Sequence, residues 1–368
     1  MMKKIFKYPV IVVFGLLLYA ISIRDLFSPV RKTSELENRE LRQMPSFSLH
    51  ELIENNYTPK IEEFTEDQFI ARDSWISLKS IGESLLGKKE NNGVVYGKDG
   101  YLFTKFLKTD YTQYEKNLEA ITRFKEKHPE TDIRVMLVPT APGVMKDKVI
   151  EGSPVVDTEY ILDYARDNLP EELPIDVYSS LSEKSREYIY YRTDHHWTTK
   201  GAYIGYIEYL GAIGIEPAEL DSFSFFEVQG FLGTHYSKSK NYNVRPDTLS
   251  YIDCDATMDL NGNTVSIYDT DRLDTRDKYA MFLWGNNAFL SISGKGEDTL
   301  LIIKDSYANC MIPYMTGDFK RIDVIDLRYY TAGVDTLIRE EGYDHVLFLY
   351  NCESILTDNN IPKINIFT

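Results

Sequence analysis

Apolar runs of strand length at residues 133–138, 175–178, 300–303, 322–325 and 346–350 alternate with stretches of helical period, and this alternation limits the possible folds more than any other feature. A strand that is apolar on consecutive residues must be covered on both faces, which is the situation of a parallel sheet between layers of helices. Helices are expected over 114–127, 160–169, 199–213 and 334–341. The first follows a Thr109/Asp110 cap region, the second precedes a proline, the third is amphipathic and the fourth stops at Gly342. Between 223 and 292 the texture turns β-rich around an Asn261-Gly262-Asn263 hairpin turn, and reads as an insertion in the α/β domain. Another hairpin is expected over 94–103, where two short apolar runs flank a Lys98-Asp99-Gly100 turn.

With 368 residues, 43% of them hydrophobic, the chain has material for one large domain and an appendage. At its start Lys3, Lys4 and Lys7 precede an uncharged apolar run over 8–23 that Arg24 and Asp25 close. Such a run rises roughly 24 Å as a helix against a hydrocarbon core of about 30 Å, so spanning requires Lys7 and Arg24 to snorkel outward. Ala20-Ile21-Ser22 is a poor cleavage site beside Tyr19 and Ile23, which favours a retained signal-anchor over 1–24. The basic flank places the N-terminus in the cytoplasm, giving a single-pass cell-membrane protein with its large domain extracellular. A polar helical neck over 25–90 then leads into the large domain over 91–368.

A net charge of -16, with no Lys/Arg cluster after residue 32, excludes nucleic acid as a partner. The three cysteines, Cys254, Cys310 and Cys352, form no C-x-x-C pair and read as ordinary buried thiols.

Chemistry concentrates in Asp194-His195-His196-Trp197, just before a predicted helix. On an extended segment residues i and i+2 share a side, so Asp194 and His196 lie together and His195 points away. An aspartate against one imidazole nitrogen sets the tautomer and leaves the other nitrogen free to take a proton from a nucleophile. The ordinary alternative is a surface or capping histidine pair. A metal site is disfavoured, because three donors on one extended segment do not converge and His50, His128, His235 and His345 fall in no metal-binding spacing. No metal or other cofactor is expected. The nucleophile candidate is Ser306, in a polar turn after the apolar run over 300–303 and before a helical stretch. A serine there faces the carboxyl edge of an α/β sheet and gains helix N-terminal amides as oxyanion donors. Serine also caps helices, so Asp305-Ser306 by itself has that second reading.

Together these segments resemble the DHHW proteins, relatives of the alginate O-acetylation proteins AlgJ and AlgX in the SGNH-hydrolase-like group. The matching pieces are Glu37-Asn38-Arg39, Val95 through Phe103, Val138-Pro139-Thr140, Asp194-His195-His196-Trp197 and Lys304-Asp305-Ser306-Tyr307. The resemblance implies an SGNH-hydrolase-like parallel sheet flanked by helices, with Ser306, His196 and Asp194 at the catalytic positions. It further implies that an acetyl group passes from a membrane-bound O-acyltransferase (MBOAT) partner to an exported polysaccharide. Where AlgJ and AlgX have Asp-Thr-His-Trp, this chain has a second histidine, and residues 350–354 lack their Glu-Arg pair.

Secondary candidates for oxyanion or substrate contacts are Asn286, after the apolar run over 281–284, Arg328 at the end of another predicted strand, and Tyr307 beside the nucleophile. His235 reads as a loop histidine. The expected reaction is acyl transfer through a Ser306 ester, with an esterase as the alternative if water replaces the sugar hydroxyl. A non-catalytic cell-surface protein on the same fold is the third reading.

Overall fold

The computed structural model describes residues 8–365 apart from 35, 36, 38, 108, 109 and 242. Lys3, Lys4, Lys7, Asn38 and Thr109, used above, therefore lie outside the described residues. The chain divides into two compact units, Met1–Lys88 with Lys240–Tyr242, and Lys89–Ser239 with Asn243–Thr368.

The first unit opens with the helix Pro9–Leu26, on which Val10, Ile11, Phe14, Leu17 and Tyr19 are exposed. Among the described residues no helix is long and apolar enough to cross a membrane, which corrects the expected transmembrane segment. The physical reason is length: Arg24 and Asp25 interrupt the apolar stretch before it reaches the ~20 residues that a span needs. Farther along, the ladder of Thr33–Ser34 with Arg39–Glu40 precedes the helices Leu49–Ile53, Tyr57–Gln68 and Arg72–Leu85. Arg39 grips both carboxylate oxygens of the buried Asp67 at 2.8 and 2.5 Å. That bidentate bond holds the Asp67 carboxyl down at about 2.

The second unit is built on an eight-stranded sheet. Its strands in chain order are β1 (Asp132–Val138), β2 (Pro174–Ile175), β3 (Thr257–Leu260), β4 (Asn263–Ser266), β5 (Phe289–Ser293), β6 (Asp298–Lys304), β7 (Phe319–Ile325) and β8 (His345–Asn351). Across the sheet they run β4-β3-β5-β7-β6-β8-β1-β2. The pairs from β7 to β2 are parallel, and β5, β3 and β4 extend the sheet antiparallel. The β-rich stretch is thus not wholly an insertion: β3, β4 and β5 continue the central sheet, and among the described residues only the ladder Phe225–Phe231 with Asp247–Ile252 stands outside it.

Alternation along the strands explains why the central ones are apolar throughout. Leu300 and Ile302 of β6 pack into one core with the helix Thr199–Ile213, whereas Leu301 and Ile303 pack into the other with Thr112–Lys127, Thr158–Asn168 and Val334–Glu341. The helix Thr199–Ile213 departs from the expected amphipathic pattern, being buried on most of its surface. Gly205 lets it approach Trp197, whose ring a Cβ there would meet at 2.6 Å. Both hairpin turns form where expected. Asn261 and Gly262 take φ of 56° and 81° between β3 and β4, the left-handed pair that a two-residue hairpin demands. Val94–Tyr96 pairs with Leu102–Thr104 around a turn in which Asp99 and Gly100 have φ of 55° and 79°. The cysteines form no disulfide.

Candidate functional site

Ser306 follows the carboxyl end of β6 as the first residue of a short 3-10 helix, Ser306–Cys310. Asp305 fixes this turn. One of its carboxylate oxygens accepts from the Tyr307 amide at 2.9 Å, and the other accepts from the backbone and side-chain amides of Asn351 at 2.8 and 2.7 Å. The ends of β6 and β8 are thereby tied together beneath the serine. With the Tyr307 amide committed to Asp305, the Ser306 N–H is left at the helix start without an intrahelical acceptor.

The Asp194-to-Trp197 segment reaches the serine from outside the sheet, and long-range bonds hold it there. Buried Asp247 accepts from the amides of Arg192 and Thr193 at 2.9 and 2.8 Å and from the Thr193 hydroxyl at 2.5 Å. The Trp197 indole donates to the Tyr307 carbonyl at 2.9 Å, and the Tyr307 hydroxyl donates to the His195 carbonyl. Two bonds of opposite direction thus clamp the histidine segment to the serine turn.

Ser306, His196 and Asp194 come together. His196 Nε2 lies 2.7 Å from Ser306 Oγ, and His196 Nδ1 lies 2.6 Å from Asp194 Oδ1. Asp194 Oδ1 also accepts from the His196 amide at 3.0 Å, while Oδ2 accepts from the Thr234 amide at 2.7 Å and its hydroxyl at 3.0 Å. Burial opposes the charged form of Asp194, but the two adjoining imidazoles and these hydrogen bonds outweigh it and hold the carboxyl well below the usual carboxylate range. Tyr279 stacks on His196 with ring centroids 3.7 Å apart and planes 11° from parallel, and its hydroxyl donates to the Ser306 carbonyl at 3.0 Å. The imidazole is therefore fixed at both nitrogens and on one face, the arrangement of a general base beside a nucleophile.

His195 does not point away as an extended segment would require. Residues 192–196 bend, and the His195 ring rests 3.8 Å, centroid to centroid, from that of His196, with Nδ1 2.7 Å from Thr234 Oγ1. The same bend gathers donor atoms of Asp194, His195 and His196 within 4.8 Å of one another, which removes the geometric objection to a metal. In this arrangement both carboxylate oxygens and both His196 nitrogens are engaged by the contacts just described.

The secondary candidates take other places. Tyr307 is fully buried, so its side chain packs against the His195–His196 segment and has no surface to offer a substrate. Arg328 is exposed and tied to Asp326 at 2.8 and 2.5 Å. Asn286 follows three left-handed residues, Leu283, Trp284 and Gly285, at φ of 55°, 57° and 82°, a costly path for the two non-glycine residues. Its Oδ1 accepts from Lys304 Nζ at 2.9 Å and Asn309 Nδ2 at 3.3 Å, so the carbonyl faces inward and the amide outward. Burial pulls that lysine down to about 8.

Thr234, Asp247, Tyr279 and Gly233 carry no local sequence signal for these roles, since each acts across at least 27 residues of chain. Gly233 is the most exacting: a Cβ there would sit 2.3 Å from Asp194 Cβ and Oδ2. Gly233→Ala is expected to destabilise the chain by about 1–3 kcal/mol, as overpacking does, and to slow Ser306 acylation at least about tenfold by displacing Asp194. Thermal melting and hydrolysis of an activated ester read the two effects, and a variant matching wild type in both would show that Asp194 has room to move.

The model of the DHHW protein family matches residues 94–325. Among solved structures, a DHHW family protein from Eubacterium siraeum is 25% identical, with 76% of this chain and 97% of that one covered at a TM-score of 0.64. Bacillus cereus PatB1 is 20% identical, with 74% and 99% covered at a TM-score of 0.61. The same protein with a sulfonyl adduct is also 20% identical, with 74% and 98% covered at 0.62. No curated protein matches the chain. The family match takes in β1 through β7, Asp194-His195-His196-Trp197 and Ser306, and this chain belongs to the DHHW protein family.

Proposed function

We propose that this protein is an SGNH-hydrolase-like serine O-acyltransferase that places acetyl groups on hydroxyls of an exported cell-surface polysaccharide. The observation that carries the reading is the hydrogen-bonded chain from Ser306 Oγ through His196 to Asp194, with links of 2.7 and 2.6 Å. As Ser306 Oγ bonds to the acyl carbon, His196 Nε2 takes its proton and then gives it to the departing donor group. The Ser306 amide and the outward amide of Asn286 are the donors for the oxyanion. An acceptor hydroxyl next loses its proton to His196 and takes the acyl group, and Ser306 regains a proton as its ester bond breaks. Acetyl as the acyl group, and an MBOAT partner as its source, come from the resemblance to AlgJ and AlgX. The exposed apolar residues of the helix Pro9–Leu26 support association of the chain with a membrane surface.

The test is to incubate the purified chain with an activated acetyl ester and to locate any acetyl adduct by peptide mass. Acetyl on Ser306, and none acquired by Ser306→Ala, is the expected result. An adduct that forms equally well on the variant would remove Ser306 as nucleophile. Acetate release with no transfer to any oligosaccharide would make the enzyme an esterase.

A further inference from the structure

His195 is the one ionisable member of the Asp194-to-Trp197 segment to which the proposed chemistry gives no task. Its proton can be placed from its neighbours. The Asp194 carboxylate only accepts hydrogen bonds, and Thr234 Oγ1 lies 3.0 Å from its Oδ2, so the single hydroxyl proton of Thr234 points to Asp194. Towards His195, 2.7 Å away, the Thr234 oxygen is then an acceptor, and His195 Nδ1 carries the proton. A neutral imidazole has one N–H, so Nε2 presents a bare lone pair. Burial and the neighbouring His196 favour that neutral form, pushing the His195 pKa well below its ordinary value.

Among the described residues none makes a hydrogen bond to His195 Nε2, and 33% of the side chain is exposed. The ring lies against His196, which receives the proton of the attacking hydroxyl. A lone-pair acceptor therefore flanks the catalytic base. Water has no second hydroxyl to offer it, whereas a sugar has one on the adjoining carbon.

We propose that His195 Nε2 accepts a hydrogen bond from the neighbouring hydroxyl of a vicinal diol in the acceptor, so that the site selects polyols and saccharides over water and simple alcohols. The inference rests on the acyl-transfer reading above. One diol oxygen bonds to the acyl carbon and gives its proton to His196, and the Ser306 ester bond breaks with the proton returned to Ser306 Oγ. The second hydroxyl remains intact, donating to His195.

The experiment measures the ratio of transfer to hydrolysis for the purified chain, with p-nitrophenyl acetate as donor and either glycerol or propan-1-ol as acceptor. Because the ratio is set after the acyl-enzyme has formed, changes in folding or acylation cancel. His195→Asn keeps a donor towards Thr234 and loses the Nε2 position, and is expected to lower the ratio about tenfold with glycerol and not with propan-1-ol. His195→Gln, whose carbonyl reaches the Nε2 position, should recover most of the loss. Equal ratios for wild type and His195→Asn, a loss shared by both alcohols, or a wild type that yields acetate alone would each overturn the proposal. Failure to form acetyl-Ser306 would instead overturn the acyl-transfer reading. In that case nitrogen NMR of the imidazoles decides the tautomer: an unprotonated His195 Nε2 upholds the geometry, and a protonated one ends it.

Discussion

Asp194→Asn is expected to keep the fold and to lower the rate of Ser306 acylation about 10⁴-fold, equivalent to about 5.5 kcal/mol of barrier. The hydrogen bonds around the carboxylate dictate this outcome. A backbone amide faces each oxygen, Thr234 N–H at 2.7 Å from Oδ2 and His196 N–H at 3.0 Å from Oδ1, and the shorter bond, joined by the Thr234 hydroxyl, draws the single oxygen of an asparagine to the Oδ2 position. Its NH2 group then occupies the place of Oδ1 and points a proton at His196 Nδ1, where wild type has an acceptor 2.6 Å away. His196 can meet that donor only with a bare Nδ1, which moves its proton to Nε2. The nitrogen 2.7 Å from Ser306 Oγ becomes a donor and can no longer take the serine proton. Size and shape hardly change, but the His196 amide loses its acceptor, so the fold should persist with a stability lower by about 1–3 kcal/mol. A rate within tenfold of wild type would mean that Asp194 does not set the tautomer.

The sheet was legible because its information is local. Leu300 to Ile303 must face two cores, and that alone demands a strand with helices on both sides. The bounds of the helices Thr199–Ile213 and Val334–Glu341 were equally plain, each ending at a glycine in left-handed conformation, Gly214 and Gly342. The pairing of Asp194 with His196 was readable from spacing, but for a reason that fails in detail. An extended segment would have sent His195 outward, whereas Asp247, 53 residues beyond Asp194 in the chain, pulls the segment into a bend. Nothing near Asp247, Thr234 or Tyr279 marks them, because their partners become neighbours only after the sheet has formed. Likewise β3, β4 and β5 resemble an insertion in sequence, since short alternating strands look alike whether they extend a parallel sheet or stand apart.

Glu353 should make the stability of the chain fall between pH 4.5 and about 7. It follows β8, two residues after the Asn351 whose amides anchor Asp305 under the serine. Burial raises its carboxyl to about 7, outweighing the lowering influence of the nearby Thr104, Thr140 and Lys238. Because the folded value lies above the unfolded one, the native state keeps the proton where the unfolded chain has released it. The contribution of this group is therefore complete below pH 4.5 and is lost as pH rises through about 7, a change of about 3 kcal/mol. Glu353→Gln imitates the protonated acid and cannot ionise, so urea unfolding of the two proteins should diverge with pH, wild type losing about 3 kcal/mol relative to the variant between pH 4.5 and 8. A constant difference would show that the carboxylate is solvated or paired in the native state. The divergence should be accompanied by loosening at Ser306, because the backbone that carries Glu353 is continuous with Asn351, and Asn351 holds Asp305, which accepts from the Tyr307 amide. Hydrogen exchange at the Tyr307 amide, faster at pH 8 than the intrinsic increase accounts for and restored by Glu353→Gln, would connect the titration of a buried acid to the order of the nucleophile turn.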